Sequence, residues 1–452
     1  MSKVTRIRSG LIACLLLPIA ACSTVEDQLD FIPGIGNDGP RETAPEDGRV
    51  SILSFEQGLQ QSDAAGPVVL PTAYSNPVWP QQDGYPTHAI QHTAAPGELE
   101  RAWRISIGAG SSNRHRLNAR PVVADGKIFT IDADGRVSAF DADSGSRVWS
   151  EELRSDRRRD QDAVGGALVF DEGRIYAHSG LNFFVALDAQ TGTELWRSET
   201  IVPFHGAPTV ADGRIFVTSD DNELLSMDAD NGQVDWTYPG IVETARLITT
   251  PSPAVLGDVV VAPFASGELV ALRVQNGNPI WQDALARDSA LTALSRINDL
   301  SGSPVILGDR VYALSHSGPF VGIDMRSGER LWSVPAGSVN TPWIAGDFLF
   351  TVTTEGEVVC VNRLTGAIHW IQSLPLFENP NNRKDRISYA GPVLASGRLF
   401  LASSDGRGFI LDAATGVQTG EVDLDDPVYI APIIANETVY VLTDEGRLIA
   451  LR

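Results

Sequence analysis

One unit recurs through most of this chain at a spacing of ~40–50 residues, the range that signals a propeller or a solenoid. Each copy runs from a Gly/Asp turn into an apolar strand, then to a second strand ending near Asp, a Gly turn and a Trp. Asp125-Gly126-Lys127-Ile128-Phe129 leads to Val137-Ser138-Ala139-Phe140-Asp141, then Gly145 and Trp149. The same order returns at Gly192 and Trp196, Gly232 and Trp236, Gly277 and Trp281, Gly328 and Trp332, and Gly366 and Trp370. A seventh copy has Gly416 but carries Gly420 where the Trp belongs. The last position always lies four residues after the Gly.

The parts have physical reasons. Alternating Val, Ile, Phe and Ala suit a pleated, half-buried strand. Asp-Gly and Asn-Gly between strands favour tight hairpins, since Gly takes positive φ at no steric cost. A Trp just past the turn covers a neighbouring sheet and buries a large apolar area. One sheet of this kind cannot bury both its faces, but stacked neighbours can.

An eighth copy is incomplete: Ala431-Pro432-Ile433-Ile434, Thr438-Val439-Tyr440-Val441-Leu442 and Arg447-Leu448-Ile449-Ala450-Leu451 supply three strands, and the sequence ends at Arg452. The missing strand is found at Glu98-Leu99-Glu100-Arg101-Ala102-Trp103-Arg104-Ile105-Ser106-Ile107, with Trp103 as its Trp. Pairing that strand with the last three closes a ring and removes exposed edges. The expected fold is therefore all-β: an eight-bladed β-propeller over residues 98–452, with four antiparallel strands per blade.

Residues 1–97 read differently. Lys3, Arg6 and Arg8 precede an apolar run from Leu11 to Ala21, too short to span a bilayer. The run ends Ile19-Ala20-Ala21-Cys22, which resembles a bacterial lipoprotein signal over 1–21 with Cys22 as the lipidated residue. Cleavage by an ordinary signal peptidase is the alternative. Ser23, in place of an Asp, favours the outer membrane. Residues 22–97 are rich in Pro and Gly without hydrophobic period, and read as a flexible tether. His88 and His92 are four apart, but Pro86 argues against a helix aligning them as ligands, so both read as ordinary tether residues.

Composition narrows the function. Acidic residues outnumber basic ones 57 to 35, a net charge of −22, which makes a phosphate backbone a poor partner. Once Cys14 leaves and Cys22 is acylated, Cys360 is the remaining cysteine and reads as a small buried hydrophobe. The Asp-x-Asp-x-Gly runs at Asp141 and Asp228 lack Gly at the sixth position of a calcium loop, where Ser146 and Gln233 stand, and read as hairpin turns. His178, His205, His316 and His369 show no metal-ligand spacing. Neither a Gly-x-Ser-x-Gly elbow nor a phosphate-binding glycine loop is present. The basic run at 154–160 reads as an exposed loop.

The cleanest repeat, Ala186-Leu187-Asp188-Ala189-Gln190-Thr191-Gly192 followed by Trp196, resembles the pyrroloquinoline-quinone-type propeller repeat. Two families use it. With a lipoprotein signal, a tether and one propeller, the chain resembles the BamB family of outer-membrane β-barrel assembly lipoproteins. Its segment Arg296-Ile297-Asn298-Asp299-Leu300-Ser301-Gly302-Ser303-Pro304 is similar to that family's Arg-Leu-Ser-Asp-Val-Asp-Thr-Thr-Pro loop, which faces BamA. Arg296 and Asp299 match; Ser301 stands where the family has a second Asp. Arg246-Leu247 is similar to the family's Leu-Arg partner patch. The resemblance implies a non-catalytic periplasm-facing scaffold, without cofactor or metal, that docks on BamA-type periplasmic domains beside other assembly lipoproteins. In this reading Asp299 and Arg296 are an exposed loop pair, and strand edges or loops hold unfolded barrel chains. The second family, the quinoprotein dehydrogenases, implies a quinone pocket and in many members a vicinal Cys pair, which this chain lacks. A scaffold for some other partner is the third reading.

Overall fold

Three tight turns per unit leave each strand only its sequence neighbours to pair with, and the repeat becomes a four-stranded antiparallel sheet. In the computed structural model, which describes residues 58–452 apart from 64–65, 154–165, 244–246, 248 and 286–298, the first such blade runs Val122–Ala124, Lys127–Ile131, Arg136–Asp141 and Arg147–Glu152, in that order across the sheet. Blades 2 to 7 repeat it at 167–199, 209–239, 254–284, 305–334, 343–373 and 389–423. A short hairpin, Phe377–Asn379 with Lys384–Arg386, stands between blades 6 and 7. In blade 8, Arg101–Ser106 pairs antiparallel with Arg447–Leu451, placing Arg104 opposite Ile449. Thr438–Leu442 and Ile433–Ala435 complete that sheet, so the fold is the expected eight-bladed propeller.

Burial follows the position of a strand in its blade. The second and third strands, such as Lys127–Ile131 and Arg136–Asp141, are buried on both faces because a neighbouring blade covers each. The fourth strands lie at the rim and are less buried: four of the six residues of Arg147–Glu152 are exposed. Six rim tryptophans staple one blade to the next. The indole N–H groups of Trp149, Trp196, Trp236, Trp281, Trp332 and Trp370 donate to the carbonyls of Ala189, Ala229, Val274, Met325, Arg363 and Ala413, at 2.8–3.2 Å. Each ring also lies on the glycine of the following blade's last turn. A Cβ at Gly192 would come within 2.6 Å of the Trp149 ring.

The seam departs from this rule. Blade 8 has no glycine turn before its fourth strand, because that strand comes from the other end of the chain. Glu100 and Arg452 close the gap by exchanging two backbone hydrogen bonds of 2.9 Å. No turn is present for a blade 7 indole to cover, and Gly420 occupies that position, opposite Ile410. On the other side of the seam the Trp103 indole N–H has no partner among the described residues. The Ala142 carbonyl accepts instead from the Tyr440 hydroxyl at 3.3 Å and from Arg452 Nη2 at 3.4 Å.

The expectation of a tether running to residue 97 needs correcting: Gly58–Arg452 is one compact unit. Trp79, Ile90 and Leu99 are buried in the same apolar cluster as blade 8. His88 and His92 are buried too. His88 Nδ1 donates to the Pro304 carbonyl at 2.6 Å. His92 Nδ1 donates to the Pro71 carbonyl at 2.6 Å, and its Nε2 accepts from the Gly397 N–H at 2.8 Å. Proline suits such a segment as well as it suits a tether, because it has no N–H to satisfy and its carbonyl still accepts. The segment from about residue 66 to 97 is called the strap below.

Candidate partner-binding face

The loops that join one blade's rim strand to the next blade's first strand all emerge at one end of the ring. The loop after blade 3 is pinned at its base. Asn222, in the turn between second and third strands, donates from Nδ2 to the Ile241 carbonyl at 2.6 Å and accepts from the Ala265 N–H at 3.0 Å. Glu268 accepts from the Ile241 N–H at 2.9 Å. With the backbone held, the Ile241 and Val242 side chains stand 60% and 71% exposed. Asn182 repeats the arrangement one blade earlier, bonding the Ile201 carbonyl at 2.6 Å and leaving Ile201 exposed. The result is an apolar ridge on two adjacent loops, a feature that sequence reading missed because an isolated loop Ile carries no periodic signal.

The same loop after blade 3 and the loop after blade 4 contain the residues singled out by resemblance. Asp299 is 3% exposed, not the exposed group expected. Its Oδ2 accepts from the Leu247 N–H at 2.8 Å, and its carbonyl accepts from the His316 N–H at 3.1 Å. A buried carboxylate is stable only when paired or hydrogen-bonded, and here it ties the loop after blade 3 to the loop after blade 4. Leu247 is half-buried. Ser301 is buried, and its hydroxyl has no partner among the described residues. Arg246, Arg296, Cys22 and the 154–160 run lie outside the described residues.

These loops rim a cavity of about 400 Å³ at the hub, whose lining includes Asp83, Arg120, Ser301, Ser303, Asn340 and Tyr429. Most of its lining residues on the blades precede or begin the first strands, and Asp444 lies in the turn between second and third strands of blade 8, so it lies toward the loop-bearing end. Gln82 and Asp83 of the strap also line it. Asp83 pairs with Arg120 and accepts from the Ser303 hydroxyl at 2.6 Å. Burial pushes the Asp83 carboxyl up, but Arg120, His88, Ser303 and Thr341 together outweigh it and hold the group below the usual carboxylate range. Burial lowers the His88 pKa, opposed by Asp83 and the Pro304 carbonyl. The signal for this cluster lay in Tyr74, Trp79 and Tyr85, three aromatics close together in a segment otherwise composed like a linker.

The remaining candidates are structural. Asp141 and Asp188 each bond the turn that follows them: Asp188 Oδ1 accepts from the Thr191 N–H and hydroxyl, both at 2.8 Å. His178 Nε2 donates to the Gly206 carbonyl at 2.9 Å in a fully buried site. His205 lies 3.7 Å from Asp220, and His369 Nδ1 donates to the Gly66 carbonyl at 2.8 Å. Cys360 is buried, which pushes its thiol pKa up. Among the described residues no three His, Cys, Asp or Glu side chains group to hold a metal ion.

A family model described as outer membrane protein assembly factor BamB matches residues 88–182, 133–372 and 380–452, so the strap before residue 88 lies outside the matched residues. The outer membrane protein assembly factor BamB of Escherichia coli strain K12 is 27% identical over 354 residues, covering 77% of this chain and 88% of that protein. Its counterpart in Xanthomonas campestris pv. campestris is 32% identical over 286 residues, covering 61% and 68%. Among solved structures, BamB from Moraxella catarrhalis matches with a TM-score of 0.66 at 18% identity, over 78% of this chain and 99% of that one. Quinohemoprotein alcohol dehydrogenase from Comamonas testosteroni matches at 0.63 and 14% identity, over 84% and 81%. The two structural likenesses speak for the propeller alone, whereas the family match runs through nearly every blade. The chain belongs to the BamB family of outer membrane protein assembly factors.

Proposed function

We propose that this chain is a non-catalytic, lipid-anchored scaffold of the outer-membrane β-barrel assembly machinery, facing the periplasm. In this reading its loop-bearing face docks the periplasmic domains of a BamA-type partner. The observation that carries the reading is the bond from the Leu247 N–H to Asp299, which fixes two adjacent loops relative to one another. A preset pair of loops loses little freedom on docking, and that preorganisation favours affinity. Leu247, with the ridge of Ile241 and Val242, offers apolar contact, while Arg246 and Arg296 supply charge that sets register and on-rate. Asp299 then acts by holding the loops rather than by touching the partner. Unfolded barrel chains are further candidate clients for the same face.

The quinoprotein alternative finds less support. No two of the chain's three cysteines are adjacent in sequence, and the strap residues Gln82 and Asp83 line the hub cavity.

The test is affinity recovery of the full-length lipoprotein from detergent-solubilised membranes. The double variant Arg246→Glu, Leu247→Glu is expected to recover at least tenfold less BamA-type protein than the unmodified chain. Val417→Glu, at an exposed site just before the rim strand of blade 7, is expected to recover it fully. Equal recovery by the double variant overturns the assignment of this face.

A further inference from the structure

The first strand of each blade faces the hub with one edge unpaired by its own sheet. Eight such edges in a ring present backbone N–H and C=O groups that need partners. The strap visits them in order. At blade 8, Asn76 accepts from the Asn436 N–H at 2.8 Å and donates from Nδ2 to the Ile434 carbonyl at 3.1 Å. At blade 1, Trp79 exchanges two backbone bonds with Val123, at 2.7 and 2.8 Å. At blade 2, the Phe170 N–H donates to the Pro80 carbonyl at 2.7 Å. At blade 3, the Gln81 side chain bonds both the carbonyl and the N–H of Val210, at 2.8 and 3.2 Å. Blades 4 and 5 follow, with the Val255 and Ile306 N–H groups donating to the carbonyls of Pro86 and Thr87 at 2.7 and 2.8 Å. At blade 6, Gln91 accepts from the Gly346 N–H at 3.0 Å and from the Trp343 indole at 2.9 Å. At blade 7, Thr93 accepts from the Ser396 N–H at 2.9 Å, and its hydroxyl donates to the Leu394 carbonyl at 2.6 Å.

The contacts are equivalent by register. Val123, Phe170, Val210, Val255 and Ile306 are each opposite the same position of the second strand, namely Ile128, Ile175, Ile215, Val260 and Val311. In blades 6, 7 and 8 the bonded N–H lies two residues beyond that position. A segment in chance contact would not meet one register position in blade after blade. The strap also holds His88 and Gln91 at φ of +59° and +68°, a conformation that is unfavourable for a side-chain-bearing residue and persists only where surroundings impose it.

We propose that the ring of first-strand edges is a binding site for one extended peptide, that residues 76–96 are its built-in ligand, and that their binding holds the eight blades in a closed ring. The bonds from blade 8 and blade 1 span the seam, where the staple at Trp103 lacks its indole hydrogen bond. The strap therefore acts where the ring is least fastened by its own repeat.

Native-state hydrogen exchange on the full-length protein tests this. The amides of Val123, Phe170, Val210, Val255 and Ile306 are donated to the strap, so in the unmodified chain they are expected to exchange at least a hundredfold slower than free amides. In a variant carrying Asn76→Ala, Trp79→Ala and Gln81→Ala, those five amides are expected to exchange at least tenfold faster. Amides bonded within the sheets, such as those of Val137 and Leu187, keep their protection. A synthetic peptide of residues 71–97 added to that variant restores slow exchange at the five positions. Fast exchange of the five in the unmodified chain, a result that does not depend on the variant folding, overturns the proposal. So does an unchanged pattern in the variant, or failure of the peptide to restore protection.

Discussion

At the residue scale, two glycines with the same backbone conformation serve different ends. Gly192 and Gly213 have φ of +76° and +72°, but a Cβ at Gly192 meets the Trp149 ring while one at Gly213 meets nothing within 4 Å. Gly213→Ala therefore costs only backbone strain, about 1 kcal/mol. Gly192→Ala adds the overpacking of an inter-blade contact, for a total of about 2–4 kcal/mol. Urea unfolding of the two variants side by side checks the difference. His178 makes stability depend on pH. Burial pushes its pKa down to about 4, against the Gly206 carbonyl bond that raises it. The unfolded chain therefore takes up a proton near pH 6.5, where the folded one does not. Stability conferred by neutral His178 is intact above that pH and is lost as pH falls toward 4. Between pH 7 and pH 5 the loss is about 2 kcal/mol. His178→Phe is expected to flatten that part of the urea-midpoint-versus-pH curve; an identical slope in the variant refutes the assignment.

At the element scale, the blades were legible and the strap was not. Strands such as Lys127–Ile131 are announced by local signals: alternation, an Asp-Gly turn before, a Gly and Trp after. Those signals repeat, and repetition makes the count secure. The strap's structure is decided by distant partners. Pro80 and Pro86 read locally as a linker, yet the Phe170 and Val255 amides that they satisfy belong to blades 2 and 4. The same reason hid the role of Asp299. A loop Asp reads as solvated, and only the Leu247 N–H, 52 residues away in sequence, turns it inward. Asp299→Ala is expected to free that loop locally. The Leu247 amide should exchange at least tenfold faster while the urea midpoint shifts by an amount equivalent to about 1–2 kcal/mol, the cost of an unsatisfied buried donor. No change at the Leu247 amide would refute the tie between the loops.

At the scale of the whole molecule, closure depends on the two ends of the propeller. Deleting residues 448–452 removes most of the strand between Arg101–Ser106 and Thr438–Leu442, leaving the first without a partner in blade 8 and the second with Ile433–Ala435 alone. The expected result is a lower urea midpoint and a broadened or split transition, since an open array no longer unfolds as one ring. A single sharp transition at the original midpoint would show that the seam contributes nothing. Thr249, Thr250 and Ser301, of the loops that carry Leu247 and Asp299, line the hub cavity together with Gln82 and Asp83 of the strap, so the cavity and the proposed docking loops adjoin.

The pairing of Arg101–Ser106 with Arg447–Leu451 has a consequence for biogenesis. Arg101–Ser106 must wait until residues 447–451 have been made before it finds its mate. At ~5–20 residues per second, synthesis of the intervening stretch takes roughly 17–70 s. Throughout that interval the nascent arc has two sticky margins, each competent to pair with a stray strand. Export factors that shield hydrophobic chain for tens of seconds would meet this need, and a ribosome stalled near codon 440 would strand the product in its most aggregation-prone form.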